Sequence, residues 1–143
     1  MSEEFRKKDD LKHLIKSFES QLTKGDISFY SIEDFEQIIE YYLEDGNNKK
    51  ALQACNLAID QYPFSTEIRL DKAQVLSNLH RIDESLDLLD YALTIQPNDS
   101  ETLVLKGNIL SNAGKFPEAI EAYEKAVPFS DELEDLYYSI GYC

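Results

Sequence analysis

Carboxylates are the side chains of this chain most able to do chemistry. Among 143 residues there are 28 Asp and Glu against 14 Lys and Arg, which gives a formal net charge of −14. Paired carboxylates can act as general acid and base, and clustered ones can hold a hard cation such as calcium. Here they are spread along the whole chain, and the acidic run 131–135 lacks the Asp, Asn and Gly spacing of a calcium loop. The carboxylates therefore predict neither a catalytic pair nor a metal site.

Histidine and cysteine add little to this chemistry. The chain has two histidines, His13 and His80, and two cysteines, Cys55 and Cys143. They do not form the Cys/His spacing of a metal site, and the sequence has no Gly-rich phosphate loop or nucleophile motif. Cys55 lies in an apolar helical stripe, which favours a buried small side chain over a reactive thiol. The sequence predicts a protein that is not an enzyme and uses no cofactor.

The acidic balance restricts the partners of the protein. A surface of this sign repels phosphate backbones and anionic lipid, so we expect neither nucleic acid nor a membrane as partner. No apolar run approaches the roughly 20 residues of a spanning helix, and residues 1–10 lack the apolar core of a signal peptide. We therefore expect a cytoplasmic protein whose partner is another protein.

A constant step of 34 residues organises the elements that must position these side chains. Ala58, Ala92 and Ala126 lie 34 residues apart, and several other small and apolar positions keep the same step. A fixed period of this size is typical of stacked helical repeats, which build extended surfaces. It predicts repeats at about 32–65, 66–99 and 100–133, followed by a partial repeat at 134–143.

Each repeat contains two amphipathic helical segments separated by a turn. Gly46, His80 and Gly114 share the turn position, where a positive φ is expected. Glycine adopts this conformation most readily, and Asn, Asp and His are the other residue types enriched there. Residues 3–24 form a further helix that is out of phase with the repeats. We expect residues 1–31 to be an N-terminal capping helix and linker, with Ile27, Phe29 and Tyr30 tucked beneath the helix.

The sequence of the third repeat resembles a known family. The segment 112–127, NAGKFPEAIEAYEKAV, is similar to the centre of a tetratricopeptide repeat, and 66–99 and 32–65 continue the same register without a gap. The resemblance implies an all-α fold, a right-handed α-solenoid of antiparallel helix pairs, here with an extra N-terminal helix. It also implies a concave groove, lined by the first helix of each repeat, that holds peptides or helices of partner proteins.

The positions that line the groove in this family are acidic in the first repeat and mostly amide or apolar later. They fall on Glu33, Glu36, Glu40, Glu44, Glu67, Leu70, Gln74, Asn78, Glu101, Val104, Asn108, Asn112 and Tyr138. No Lys or Arg is among them, so we expect an unopposed acidic field that attracts a basic or mixed basic and apolar segment. The alternative is that these carboxylates form an ordinary solvated helix face. Some family members clamp a partner's carboxylate, but the matching positions here are acidic or neutral, so we do not expect that ligand.

The sequence thus predicts a protein–protein interaction scaffold with an acidic and polar groove. Self-assembly through the groove or the C-terminal face is an alternative, and an adaptor segment of a larger enzyme or sensor is another. Residues 134–143 match only the start of a repeat. We therefore expect the chain to be a piece of a longer repeat protein, with an apolar patch exposed on its last helix.

Overall fold

The helices agree with the expected pattern of pairs. A computed structural model of the protein describes residues 3–25 and 29–143. Within these ranges the chain forms eight α-helices, one short 3₁₀ helix at Val127–Phe129 and no strand. The helices are α1 (Glu3–Lys24), α2 (Ile32–Glu44), α3 (Asn48–Gln61), α4 (Thr66–Asn78), α5 (Ile82–Ile95), α6 (Ser100–Asn112), α7 (Phe116–Ala126) and α8 (Leu133–Tyr142). They form two compact units, an N-terminal unit that ends at Ser65 and a C-terminal unit from Thr66 to Cys143.

The N-terminal unit has an aromatic core between α1 and α2. Phe18 of α1 is fully buried, and its ring centroid lies 6.1 Å from that of Tyr30 and 6.3 Å from that of Tyr42. Small side chains of α3 fill the other side of α2: Ala51, Ala54, Cys55 and Ala58 are all fully buried. Large rings on one side and small residues on the other let the α2–α3 pair approach closely. The predicted burial of Cys55 is confirmed.

A charged hydrogen-bond network ties α1 to the repeat. Tyr42 Oη donates to Glu19 Oε1 at 2.9 Å, and Lys50 Nζ donates to the same oxygen at 3.1 Å. The bond from Tyr42, and then that from Lys50, lowers the pKa of the Glu19 carboxyl from its ordinary value. Burial, followed by the Glu19 carboxylate, raises the pKa of Tyr42. One carboxylate therefore links α1, α2 and α3.

The segment before α2 differs from its prediction at one residue. Tyr30 is buried as expected, and its backbone N–H donates to Gln61 Oε1 at 3.2 Å. Its carbonyl oxygen accepts from Tyr62 Oη at 2.5 Å. Phe29 is 84% exposed, so its predicted burial is wrong. These bonds hold the backbone of Tyr30 while its ring packs against Phe18, and the neighbouring Phe29 side chain points outward. Ile27 lies outside the described residues.

The C-terminal unit is built from small and aliphatic residues. One cluster includes Leu103, Leu110, Ala119, Tyr123, Ala126 and Leu136, and a second contains Leu70, Ala73, Leu89 and Ile109. Ser85 occupies the slot that alanine holds in the other repeats, and its hydroxyl donates to the Ala73 carbonyl at 2.6 Å. That bond satisfies the polar group within the core.

The turn between paired helices follows the prediction. Gly46, His80 and Gly114 have φ of 74°, 62° and 78°. This left-handed region costs glycine nothing and a side chain about 1 kcal/mol or more. His80 is thereby explained as a turn residue.

Candidate interaction surface

A polar cleft in the C-terminal unit gathers several of the predicted groove residues. The cleft has a volume of about 400 Å³ and is bordered by α4, α6, α7 and α8. Its walls are formed by Gln74, Asn108, Ser111, Asn112, Tyr123, Tyr138, Ser139 and Tyr142. We call it the amide cleft. Four predicted residues, Gln74, Asn108, Asn112 and Tyr138, therefore line one concavity.

One wall of the amide cleft depends on a glycine. A Cβ placed on Gly107 would lie 2.5 Å from Cε1 and 2.6 Å from Cδ1 of Tyr123, so only glycine lets this ring lie against α6. Tyr123 Oη then donates to Asn108 Oδ1 at 2.6 Å, which fixes the orientation of that amide. Burial raises the pKa of Tyr123, and Cys143 raises it further, so the phenol keeps its proton.

The remaining side chains supply amides and aromatic surface. Gln74 Nε2 donates to Asn78 Oδ1 at 3.0 Å along α4. The rings of Tyr138 and Tyr142 are stacked, with centroids 6.5 Å apart, and the two side chains are 74% and 80% exposed. A carboxamide offers both donors and an acceptor, and a tyrosine ring offers apolar area with a polar tip. Such groups match the backbone and side chains of an extended peptide.

The acidic residues of α2 are placed differently. Glu33, Glu40 and Glu44 are exposed and Glu36 is half-buried. Glu40 and Glu44 border a second cleft of about 450 Å³, which we call the charged cleft. Its other lining residues are Gln37 and Tyr41 of α2 and Lys7, Lys8, Asp10 and Leu11 of α1. The expectation of an unopposed acidic field is therefore wrong, because α1 carries two lysines to the same cleft.

Acidic residues at the starts of helices have a simpler explanation. Glu33, Glu67, Glu101 and Asp135 follow each other at steps of 34 residues, each in the first turn of its helix. A carboxylate there interacts favourably with the positive end of the helix dipole. Helix stability alone accounts for these four residues, whereas Glu40 and Glu44 lie near the negative end of α2.

Two predicted apolar groove residues belong to the core. Leu70 is only 6% exposed and packs with Ala73, Leu89 and Ile109, so it cannot present an anchor to a partner. The sequence predicted that this side chain faces the groove. In the structure it instead fills the space between helices of the C-terminal unit. Val104 is half-buried against the cluster that contains Leu103 and Leu110, and Asn78 is exposed.

Sequence reasoning missed several lining residues. Tyr123 and Ser139 of the amide cleft were not predicted, although Gly107 at a position facing Tyr123 was a usable signal. The basic run at 6–8 could have pointed to the charged cleft. A third cleft of about 540 Å³ lies between α5, α6 and α7, where Lys106 Nζ and Asp90 Oδ1 form a 2.7 Å ion pair.

The 3₁₀ helix and α8 leave several apolar side chains exposed. Leu136 is buried against the core and Ile140 is half-buried beside it. Phe129, Leu133 and Tyr137 are 47%, 42% and 57% exposed. We call these three residues the C-terminal apolar face.

The described part of the chain shows no metal or membrane element. Across residues 3–25 and 29–143 no group of three or more His, Cys, Asp or Glu is arranged to hold an ion. His13 Nε2 lies 3.7 Å from Asp9 Oδ2, with both side chains mostly exposed. Among the described helices none is long and apolar enough to cross a membrane.

Solved structures share this fold at low sequence identity. A crystal structure of MamA has a TM-score of 0.74 at 19% identity, and the match covers 99% of this chain and 82% of that one. A second MamA crystal structure gives 0.73 at 20% identity, covering 96% and 73%. Residues 41 to the end of MamA from Desulfovibrio magneticus RS-1 give 0.66 at 18% identity, covering 94% and 83%. These similarities show the all-α fold of tetratricopeptide solenoids.

Sequence comparison identifies the family. A TPR repeat-containing protein of Methanocaldococcus jannaschii is 36% identical over 93 residues, which are 59% of this chain and 29% of that protein. The chain thus spans less than a third of that relative. The family model described as the N-terminal TPR repeats region of Psidin matches residues 10–141. The chain therefore belongs to the tetratricopeptide-repeat family.

Proposed function

We propose that the protein is an interaction scaffold that binds an extended, basic segment of another protein in the amide cleft. The fold is that of an interaction scaffold, and the gathering of Gln74, Asn108, Asn112 and Tyr138 around one concavity is the observation that carries the proposal. The proposed partner is neither a nucleic acid nor a membrane, because the net charge of −14 repels phosphate groups. The proposal also places the protein in the cytoplasm.

Amide side chains favour recognition of a peptide backbone. Each carboxamide can donate to a carbonyl and accept from an N–H, so a row of them can pair with an extended segment of any sequence. Asn108 is already oriented by the 2.6 Å bond from Tyr123. Because this amide is held in place before binding, less side-chain entropy is lost when the peptide is captured.

The exposed tyrosines favour a partner with basic and apolar side chains. Tyr138 and Tyr142 present stacked rings beside the amides. A Lys or Arg side chain can lie over such a ring through its alkyl stem and its charge, and cation–π contacts contribute about 0.5–1 kcal/mol at exposed sites. An aliphatic side chain can use the same surface.

The charge of the C-terminal unit favours a basic segment. Residues 66–143 contain 15 acidic and six basic side chains, so the unit has a net charge of −9. A field of one sign raises the association rate of oppositely charged ligands and is screened by salt. Affinity for a basic segment should therefore fall as the salt concentration rises, chiefly through a slower association rate.

The test uses a short fluorescent peptide of lysine, alanine and leucine as the probe. Its matched control is the same peptide with glutamate for each lysine. Tyr138→Ala should weaken binding of the lysine probe on the order of tenfold, since it removes an aromatic contact. Tyr137→Ala is the control variant, because Tyr137 is 57% exposed on the same helix and does not line the cleft.

A second pair of variants separates amide contacts from general surface effects. Asn112→Ala removes a lining amide, whereas Asn98→Ala removes an exposed amide outside the cleft. Fluorescence anisotropy across a salt series measures all affinities. Equal effects of the lining and control variants, or binding of the glutamate peptide as tight as that of the lysine peptide, would overturn the proposal.

Self-association is a second candidate, favoured by the C-terminal apolar face. Phe129, Leu133 and Tyr137 are exposed apolar side chains close together in the sequence, and exposed apolar surface marks interfaces. Sedimentation of the protein should then show a dimer that Tyr137→Glu dissociates. Phe64→Glu is the control, since Phe64 is 94% exposed in the N-terminal unit. A monomer at all concentrations, or equal effects of the two changes, would remove this candidate.

A further inference from the structure

The bond between Tyr123 and Asn108 uses one side of the Asn108 amide. Tyr123 is only 2% exposed, and its Oη donates to Asn108 Oδ1 at 2.6 Å. A buried hydroxyl needs an acceptor for its hydrogen. Burial, followed by Cys143, raises the pKa of Tyr123, so the phenol keeps that hydrogen at neutral pH. Because the bond engages the carbonyl oxygen of the amide, Asn108 is held with Oδ1 towards α7.

The other side of this amide is left as a donor. Asn108 is exposed and lines the amide cleft. Among residues 3–25 and 29–143, no group accepts a hydrogen bond from its Nδ2. An amide nitrogen carries two hydrogens and cannot accept. Asn108 therefore offers a ligand in the cleft chiefly a donor, and that donor has a fixed position.

Gln74 has the opposite arrangement. Its Nε2 donates to Asn78 Oδ1 at 3.0 Å along α4, which leaves Oε1 as an acceptor. Gln74 is half-buried and lines the amide cleft, whereas Asn78 does not line it. The cleft thus has an oriented donor on α6 and an oriented acceptor on α4. An extended peptide carries the complement of both, since every residue except proline has one C=O and one N–H.

We propose that the amide cleft reads the backbone of its ligand with a fixed polarity, in which Asn108 Nδ2 donates to a peptide C=O and Gln74 Oε1 accepts from an N–H. The inference rests on the proposed function, because the ligand is the extended segment of the partner. Tyr123 is a positioning residue, since it holds the Asn108 amide. The ammonium groups of a basic ligand have an acceptor at Gln74 and none at Asn108 Nδ2, so the polarity also determines where lysine side chains bind.

Two isosteric variants with the same change of charge test the polarity. Asn108→Asp keeps an oxygen for the Tyr123 hydroxyl and replaces the donor with an acceptor, whereas Gln74→Glu keeps the acceptor. The probe is the lysine, alanine and leucine peptide, blocked at both ends so that it has no terminal carboxylate. We expect Asn108→Asp to weaken its binding about tenfold, although the added negative charge alone would strengthen it.

Gln74→Glu is the matched control for the charge. It should bind the probe as tightly as the unaltered protein, or up to about threefold more tightly, because its acceptor remains and the charge attracts lysine. Fluorescence anisotropy measures both affinities. Equal affinities of the two variants, or tighter binding by Asn108→Asp, would overturn the proposal.

A double-mutant cycle tests whether Tyr123 acts through Asn108. Tyr123→Phe keeps the ring and removes the donor to Asn108, so the probe should bind about two- to tenfold more weakly. In the Asn108→Ala background the same change should leave the affinity unaltered, because no amide remains to be held. An equal loss of affinity in both backgrounds would mean that the hydroxyl has only a structural role, and would overturn the assignment of Tyr123.

NMR of the side-chain amides measures the contact in the unaltered protein. The Nδ2 resonances of Asn108 are identified by their absence from the spectrum of Asn108→Asp. Saturation with the probe should shift their hydrogens downfield, because they form a hydrogen bond to a carbonyl. The signals of Asn98, an exposed residue outside the cleft, should not move. Unchanged Asn108 signals in the bound protein would overturn the proposal.

The outcomes separate this proposal from the proposed function. If the probe binds neither the unaltered protein nor any variant, the basic partner and the backbone polarity both fall. If the probe binds and Tyr138→Ala weakens it as expected, while Asn108→Asp and Gln74→Glu bind it equally, only the polarity falls.

Discussion

The same repeat positions have opposite surroundings in the two units. Glu40 and Glu44 of the N-terminal unit correspond to Gln74 and Asn78, and to Asn108 and Asn112, of the C-terminal unit. In the first case carboxylates share a cleft with lysines of α1, which lies outside the repeat pattern. In the second case Gln74 bonds to Asn78 and Asn108 bonds to Tyr123, and three of the four amides, Gln74, Asn108 and Asn112, border the amide cleft.

A repeat position therefore gives the direction of a side chain and not its environment. The 34-residue step placed Gln74, Asn108 and Asn112 at one cleft because the C-terminal unit contains only repeat elements. In the N-terminal unit α1, which lies outside the 34-residue step, borders part of the equivalent face.

The largest effect should come from removing the anchor of α1. Phe18→Ala should reduce the free energy of unfolding by about 3–5 kcal/mol, because it empties a fully buried aromatic site between Tyr30 and Tyr42. Urea denaturation measures the loss. Phe29→Ala is the control, with an expected change under about 0.5 kcal/mol, since Phe29 is 84% exposed.

The outcome decides how the two units differ. A large loss for Phe18→Ala means that α1 is part of the N-terminal core. Similar small losses for both variants would mean that the whole helix docks loosely. The two units would then differ only in the residues at these positions, and not in how far another helix covers them.

A smaller effect should follow from closing the contact behind the amide cleft. Gly107→Ala should cost about 1–3 kcal/mol, because the added Cβ would lie 2.5 Å from the Tyr123 ring and force it to move. Gly141→Ala is the matched control, one repeat later, where nothing lies within 4 Å of the added atom. It should be neutral or slightly stabilising, since Ala favours helix over Gly by roughly 0.5–1 kcal/mol.

Binding sharpens this second prediction. Because Tyr123 orients Asn108, displacement of its ring in Gly107→Ala should weaken binding of the lysine probe. The affinity of Gly141→Ala for the probe should be unchanged. Urea denaturation and anisotropy are measured on the same samples. A destabilised Gly107→Ala variant that binds normally would show that the amide orientation does not matter for recognition.

Much of the fold could be predicted from periodicity, because the repeat spacing determines which side chains face each other. Ala58, Ala92 and Ala126 are 0%, 7% and 0% exposed, as their common step requires. The left-handed turn at His80 could also be predicted, since a chain that must reverse at a given position leaves few alternatives.

The candidate site could be predicted only in part. The sequence indicated which residues of α4, α6 and α8 share a face, and it could not show that Leu70 is covered by neighbouring helices. The position of Lys7 and Lys8 depends on how α1 docks, which is determined by Phe18, Tyr42 and Glu19 acting together. Contacts between elements without a common period leave no regular signal in the sequence.

The smallest predicted effect concerns the polar bond that holds α1. Tyr42→Phe should cost about 1 kcal/mol at neutral pH, since it removes the donor to Glu19 Oε1, a carboxylate that is 43% exposed and also paired with Lys50. Tyr41→Phe is the control, because Tyr41 is the neighbouring tyrosine and is 37% exposed.

The pH dependence of this effect identifies its cause. The bonds from Tyr42 and Lys50 lower the pKa of Glu19 in the folded protein below its ordinary value of 4.5. The stability they provide is therefore present above that value and is lost as the pH falls through the lowered pKa. Since Tyr42 is the main cause of the shift, Tyr42→Phe should lose less stability than the unaltered protein between neutral pH and about pH 3. Urea titrations at several pH values measure the difference. Parallel pH profiles for the unaltered protein and Tyr42→Phe would show that the Tyr42–Glu19 bond contributes nothing to the docking of α1, and would leave the Lys50–Glu19 pair and the aromatic contacts of Phe18 as its support.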